Sequence, residues 1–177
     1  MKDRLIEILM ERSVRHGTFT LASGKQSDLY VDARQTTLSP EGALVIADLI
    51  LEKLHPDVVG VGGPVTGADP ITGAVALRSF QQGRPIHGFM VRKEPKGHGA
   101  GNQVEGRAGL PDGAKVCMIE DTVTTGGSLI KAIHAVEATG LEVVQVICIV
   151  DRCEGAAERF AEAGYVLEAL VTRGDIT

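Results

Sequence analysis

Residues 116–128 read Val-Cys-Met-Ile-Glu-Asp-Thr-Val-Thr-Thr-Gly-Gly-Ser, an apolar run that ends in two adjacent carboxylates, Glu120 and Asp121. Neighbouring like charges repel, so packing alone does not explain the pair. The residues that follow, Thr122, Val123, Thr124, Thr125, Gly126, Gly127 and Ser128, carry almost no bulk. A small-residue loop feeding a helix N-terminus leaves backbone N–H groups open to an anion, and the helix dipole adds to the attraction. The hydroxyls of Thr124, Thr125 and Ser128 supply further donors, while the two carboxylates accept hydrogen bonds from vicinal hydroxyls. A ribose 5-phosphate presents both features on one molecule. The plainer alternative is an acidic pair on a solvated turn, followed by an ordinary helix N-cap.

Two other groups of residues have chemistry to offer. Basic side chains cluster once, as Arg92, Lys93, Lys96 and His98 within Val-Arg-Lys-Glu-Pro-Lys-Gly-His-Gly (91–99), a local anion site in an acidic chain. Asp151 and Arg152 close a second apolar run; the plain reading of Arg152 is an ion pair with Asp151 or Glu154 at a helix start. Competing phosphate motifs fail. No Gly-Lys-Ser/Thr occurs, which excludes a Walker loop, and Gly60-Val61-Gly62-Gly63-Pro64-Val65 has Val where the dinucleotide fingerprint needs its third small residue.

The elements that must position these residues are legible from periodicity. Residues 2–14 read as an amphipathic helix, and 18–34 as two short strands around a Ser-Gly turn. Ser39 as N-cap with Pro40 behind it opens a helix over 39–54. Strands are expected at 57–63, 85–93, 114–120, 142–150 and 165–172, with helices at 69–82, 128–140 and 155–164. Residues 94–109 show no periodicity and read as one long loop. Continuous apolar strands alternating with helices predict an α/β fold with a mainly parallel sheet flanked by helices. Ligands bind beyond the carboxyl ends of such strands. Those ends carry 62–67, 92–98, 120–128 and 151–152, so the unusual residues converge on one edge. The acid pair is expected at the end of its strand, with that end facing solvent.

Composition narrows the classes. A chain of 177 residues with 44% hydrophobic and 23% charged content fits one globular domain, 1–177. A net charge of −5 argues against nucleic-acid binding. No apolar run has a membrane helix's length, and the acid-bearing N-terminus does not read as a signal peptide. Cys117, Cys148 and Cys153 are too few and wrongly spaced for a disulfide framework or a zinc site, so a cytoplasmic setting is expected.

Residues 116–128 closely resemble the phosphoribosyl pyrophosphate signature of the type I phosphoribosyltransferases. Three more segments resemble the orotate-using branch of that family: 19–34 its N-terminal hood, 91–106 its mobile catalytic loop, and 149–155 its Asp-Arg element. The resemblance implies a transfer of the phosphoribosyl group from phosphoribosyl pyrophosphate to orotate, through a transition state with oxocarbenium character at C1′. It implies that Glu120 and Asp121 hold the ribose hydroxyls and that Thr122, Val123, Thr124, Thr125, Gly126, Gly127 and Ser128 bind the 5′-phosphate. Arg92, Lys93, Lys96 and His98 would meet the pyrophosphate, with Lys96 catalytic beside the acid pair, and 62–70 would offer backbone N–H groups there. Thr124 and the flat donor fork of Arg152 would meet orotate; Phe19 and Tyr30 would stack on it or pack within the hood. Also implied are Mg²⁺ held mainly by substrate and water with no protein ligand, a hood over 1–35, a mobile loop over 92–109, and a homodimer with shared sites. The chain departs from the pattern at Ala22, Gly67 and Gly97, where some members carry Lys, Lys and Asp. Alternatives are a type I enzyme acting on a purine or uracil, and a non-catalytic ligand sensor on the same fold.

Overall fold

The computed structural model describes residues 1–20, 26–95 and 103–177. In chain order the elements are α1 (Lys2–Arg12), β1 (Val14–Thr20), β2 (Gln26–Val31), α2 (Arg34–Thr37), α3 (Pro40–Lys53), β3 (Gly60–Pro64) and α4 (Asp69–Gln81). Then follow β4 (His87–Val91), β5 (Val104–Glu105), β6 (Lys115–Val123), α5 (Gly127–Glu137), β7 (Glu142–Asp151), α6 (Ala156–Glu162) and β8 (Leu167–Thr172). β1 and β2 form an antiparallel pair, and the main sheet runs β5-β4-β3-β6-β7-β8. Every pairing in that sheet is parallel except β4 with β5.

The apolar strands are continuous because both of their faces are covered. In β6, Cys117 and Ile119 join one core cluster with Leu9, Ile46 and Ile71, from α1, α3 and α4. Val116 and Met118 point the other way, into a second cluster with Leu129, Ile133 and Phe160, from α5 and α6. β7 splits alike, with Ile147 and Ile149 on the first side and Val146 and Cys148 on the second. α3 begins as its sequence demands: the Gly42 N–H donates to Ser39 Oγ at 3.2 Å, with Pro40 in the first turn.

The N-terminal segment is stitched into the first core through Leu5, Leu9, Val14 and Leu29. The buried hydroxyls of Ser13 and Thr36 are 2.7 Å apart, and the Asp32 N–H donates to the Ser13 carbonyl at 2.9 Å. α1 packs on α3 and on the edge strand β8.

Three sequence expectations need correction. Residues 94–109 are not one aperiodic loop: Val104 and Glu105 pair with Val91 and Met90, and Arg107–Gly109 form a 3₁₀ turn. Val104 is buried, so an apolar anchor ends the polar stretch. The strand expected from residue 57 starts at Gly60, because 55–58 form a turn closed by the Val58 N–H on the His55 carbonyl. β6 runs on through Val123, since Thr122 and Val123 pair with Val150 and Asp151. Among the described residues no helix is long and apolar enough to cross a membrane.

Candidate active site

The carboxyl ends of β3, β4, β6 and β7 meet at one edge, as the parallel topology requires, and three cavities open there. β6 runs on past both acids, and the strand end does not face solvent as expected: Glu120 is 9% exposed and Asp121 is half-buried. The pleat separates the neighbours, because successive strand residues project to opposite faces. Asp121 lines only a cavity of about 300 Å³ on the hood side, with Tyr30, Asp32, Arg34, Pro64 and Gly67. Glu120 lines that cavity and two more toward α5. Each acid caps the next backbone amide: the Asp121 N–H donates to Glu120 Oε1 at 3.1 Å and the Thr122 N–H to Asp121 Oδ1 at 2.6 Å.

Burial dominates the electrostatics. It pushes the Glu120 carboxyl up to about 8, with the charge of Asp121 adding to the effect. Asp121 is raised for the same reason, against the pull of the Thr122 amide and the Arg34 guanidinium. Asp69, at the start of α4, is raised by burial too, and its Oδ1 is buried with no hydrogen-bond partner. Charging these acids is therefore costly without a counter-charge, so ionisation is favoured by a partner that brings hydroxyl donors or a cation.

A cavity of about 110 Å³ is lined by Glu120, Thr122, Val123, Thr124, Thr125, Gly126, Ser128 and Leu129. Gly126 precedes α5 with φ of 77°, a left-handed conformation glycine adopts without strain, and no side chain caps the helix. The first amides of α5 are thus left without a side-chain cap. Thr122 Oγ1 is buried beside this cavity with no hydrogen-bond partner.

The third cavity, about 410 Å³, is lined by Pro64, Val65, Arg92, Lys93, Gln103, Glu120, Ser128 and Lys131, among others. Arg92 Nε donates to Glu105 Oε1 at 2.8 Å, and its backbone N–H donates to the Gln103 carbonyl at 2.8 Å. Arg92 and Lys93 are therefore brought to the site, while Lys96 and His98 lie outside the described residues. Arg152 is buried behind the edge: its N–H donates to the Val123 carbonyl at 2.9 Å, and its guanidinium pairs with Glu154 at 3.1 Å. The ion pair expected at that helix start is present. Phe19 and Tyr30 pack on each other with ring centroids 5.5 Å apart, and Tyr30 keeps 42% of its surface exposed toward the acid pair.

Sequence reasoning missed Asp32, Arg34, Asp69, Gln103 and Lys131. Only Lys131 had a signal, since its spacing from Ser128 places both on one face at a helix start. Gly67, singled out as a departure, has a steric reason: a Cβ there would lie 2.7 Å from Asp121 Oδ1 and 2.8 Å from Glu120 Oε1. The 64–69 loop rests directly on the acids.

Residues 40–166 match the phosphoribosyl transferase domain family. The orotate phosphoribosyltransferase of Rhodopirellula baltica is 45% identical, over 97% of this chain and 91% of its own. A crystal structure of the Mycobacterium tuberculosis orotate phosphoribosyltransferase in complex with Fe(III) dicitrate matches with a TM-score of 0.86 at 39% identity, covering 99% of this chain and 98% of that one. The same enzyme in complex with 5-phospho-α-D-ribosyl 1-diphosphate matches with a TM-score of 0.82 at 36% identity, over the same shares.

Proposed function

The chain belongs to the orotate phosphoribosyltransferases of the type I phosphoribosyltransferase family, and from this premise we infer how its strand-end cavities transfer the 5-phosphoribosyl group to orotate. The reaction forms a bond from orotate N1 to C1′ and breaks the bond from C1′ to pyrophosphate, which leaves with the electron pair. The products are orotidine 5′-phosphate and pyrophosphate. One observation carries the division of labour: Glu120 lines both the cavity it shares with Asp121 and the hydroxyl-lined cavity at an uncapped helix start.

In this reading the 5′-phosphate enters the cradle of Thr122–Ser128, where amides and hydroxyls meet it. The ribose then spans Glu120 and Asp121, which accept from its hydroxyls and stabilise positive charge developing at C1′. Arg92 and Lys93, with Lys96 and His98 from the catalytic loop, neutralise the leaving group and exclude water from the activated sugar. Thr124 and Arg152 hold the orotate; Arg152 needs no new charge partner, because Glu154 keeps it in place. Hard carboxylate oxygens left undercompensated by burial suit Mg²⁺, and among the described residues no cluster of three or more His, Cys, Asp or Glu converges on an ion. In this reading an ion held chiefly by substrate and water would supply charge neutralisation at the pyrophosphate. Free Cys117 and Cys148, both buried, fit a reducing cytoplasm.

The test of the function is pyrophosphate release across a panel of bases with phosphoribosyl pyrophosphate and Mg²⁺. Orotate alone among orotate, uracil, adenine and hypoxanthine is expected to give product. In the same assay Arg152→Ala should raise the orotate KM about ten- to a hundredfold, the scale of a charged hydrogen bond, and spare the other substrate. Equal losses for both substrates would make Arg152 a structural residue.

We further propose a homodimer in which the catalytic loop serves the partner's site. Leu77 and Phe80 on α4 are 64% and 71% exposed, and Leu44 on α3 is 48% exposed, an apolar face suited to a second copy. Lys96→Ala and Asp121→Ala should each be nearly inactive alone. Refolded together in equal amounts, about half the dimers are mixed and about a quarter of all sites regain both groups, if each site takes its lysine from the partner. Mixed dimers seen by native mass spectrometry with no recovered activity would exclude the shared site.

A further inference from the structure

Arg34 has no part in the roles above, yet it is placed as a binding residue. It opens α2 directly after the hood strands and lines the cavity that holds Glu120 and Asp121. Among the described residues lining that cavity, three are carboxylates and Arg34 is the one cation. Its Nε donates to Asp32 Oδ1 at 3.0 Å, and Asp32 Oδ2 in turn accepts from Gln35 Nε2 at 3.2 Å. The guanidinium is thus anchored by one nitrogen, while Nη1 and Nη2 make no hydrogen bond or ion pair with any described residue. The side chain remains 52% exposed. Arg34 is tethered at Nε to Asp32 and lines the cavity of the acid pair.

Across the same cavity lies the 64–67 loop, which has no cation to offer. A side chain at Gly67 would collide with both acids, so the loop can contribute only backbone there. An anion entering between the loop and the acid pair would meet strong negative charge without a counter-charge from the loop side. The hood supplies it.

We infer that Arg34 is a further substrate-binding residue, whose Nη1 and Nη2 receive anionic oxygens of the pyrophosphate end of phosphoribosyl pyrophosphate, with Asp32 as the residue that positions it. A planar fork held at Nε matches two oxygens of a phosphate at once, which a lysine on the loop would not. The inference rests on the functional reading above.

The experiment compares the parent with Arg34→Gln, Arg34→Lys and Asp32→Asn, each first checked for an unchanged melting curve. Steady-state kinetics give both KM values, and calorimetry with inorganic pyrophosphate and Mg²⁺ gives a Kd without catalysis. Arg34→Gln should raise the KM for phosphoribosyl pyrophosphate and the pyrophosphate Kd by about tenfold or more, leaving the orotate KM in place. Arg34→Lys should recover part of that loss, and Asp32→Asn should show a smaller rise in the same two constants. A rise confined to the orotate KM would move Arg34 to the base carboxylate and overturn the assignment. Unchanged constants in folded Arg34→Gln, with the parent active, would likewise overturn it. A parent that releases no pyrophosphate from orotate would instead overturn the functional reading.

Discussion

An Asp121→Asn variant is expected to melt at or above the temperature of the parent and to turn over about a hundred to a thousand times more slowly, the scale set by losing one preorganised electrostatic group. Asn keeps the local geometry, because its carbonyl can still accept the Thr122 N–H that Asp121 Oδ1 holds at 2.6 Å. On the proposed reading, what disappears is charge beside C1′. The stability half of the result follows from linkage. Both acids have carboxyls raised by burial, Glu120 from 4.5 to about 8. Such a group supports the fold fully only below its unfolded pKa, and that support is lost as pH rises through the folded value. For Glu120 the window runs from 4.5 to about 8. Removing the Asp121 charge relieves that penalty at its own position and lowers the Glu120 carboxyl as well. Calorimetry at pH 6 and pH 8 should therefore show a gain in Tm that is larger at pH 8. A variant that melts lower while keeping its specific turnover would make Asp121 a structural acid with no catalytic part.

Gly126→Ala is expected to damage the fold together with the loop proposed to hold the 5′-phosphate. At φ of 77° a side chain sits in the left-handed region, costing about 1–2 kcal/mol. The added Cβ would also lie 2.5 Å from Phe160 Cε2, and that ring is fully buried. Overpacking of this kind costs about 1–3 kcal/mol. At roughly 2–4 °C per kcal/mol for a chain of this size, the Tm should fall by about 5–15 °C. The KM for phosphoribosyl pyrophosphate should rise in whatever fraction stays folded, because the amides of α5 start from this residue. Adding Phe160→Leu should return part of the lost Tm by clearing the collision, leaving the backbone strain behind. An unaltered melting curve for Gly126→Ala would mean that Gly126 does not hold this conformation in solution.

The parts of the site visible in the sequence are those whose cause is local. A doubled acid before small hydroxyl residues, an apolar run buried on both faces, and Ser39 before Pro40 each carry their reason within a few positions. The rest depends on partners distant in the chain. β6 continues through Thr122 and Val123 only because Val150 and Asp151 lie beside them. β5 is two residues long and exists through its pairing with Met90 and Val91. The need for Gly67 lies in the carboxylates of Glu120 and Asp121, on another strand. Arg34 follows a strand that read as hood, and nothing in its neighbours tells that the turn after β2 places it on the cavity of the acids.

The strand order also has a consequence for how the molecule comes into being. β3 and β6 are neighbours through Gly60 and Val116, with α4, β4 and β5 between them in the chain. Pairings this distant form slowly, since loop entropy is lost before the contact rewards it. During synthesis the glycine loop after β3 leaves the ribosome well before the acids that will rest on it. A nascent chain halted between Arg92 and β6 thus carries Arg34, Gly67 and Arg92 but has neither the acid pair nor the small-residue loop that follows it. Phosphoribosyl pyrophosphate can stabilise only chains that have completed the β3–β6 pairing, so the substrate acts on the last stage of folding and cannot template the first.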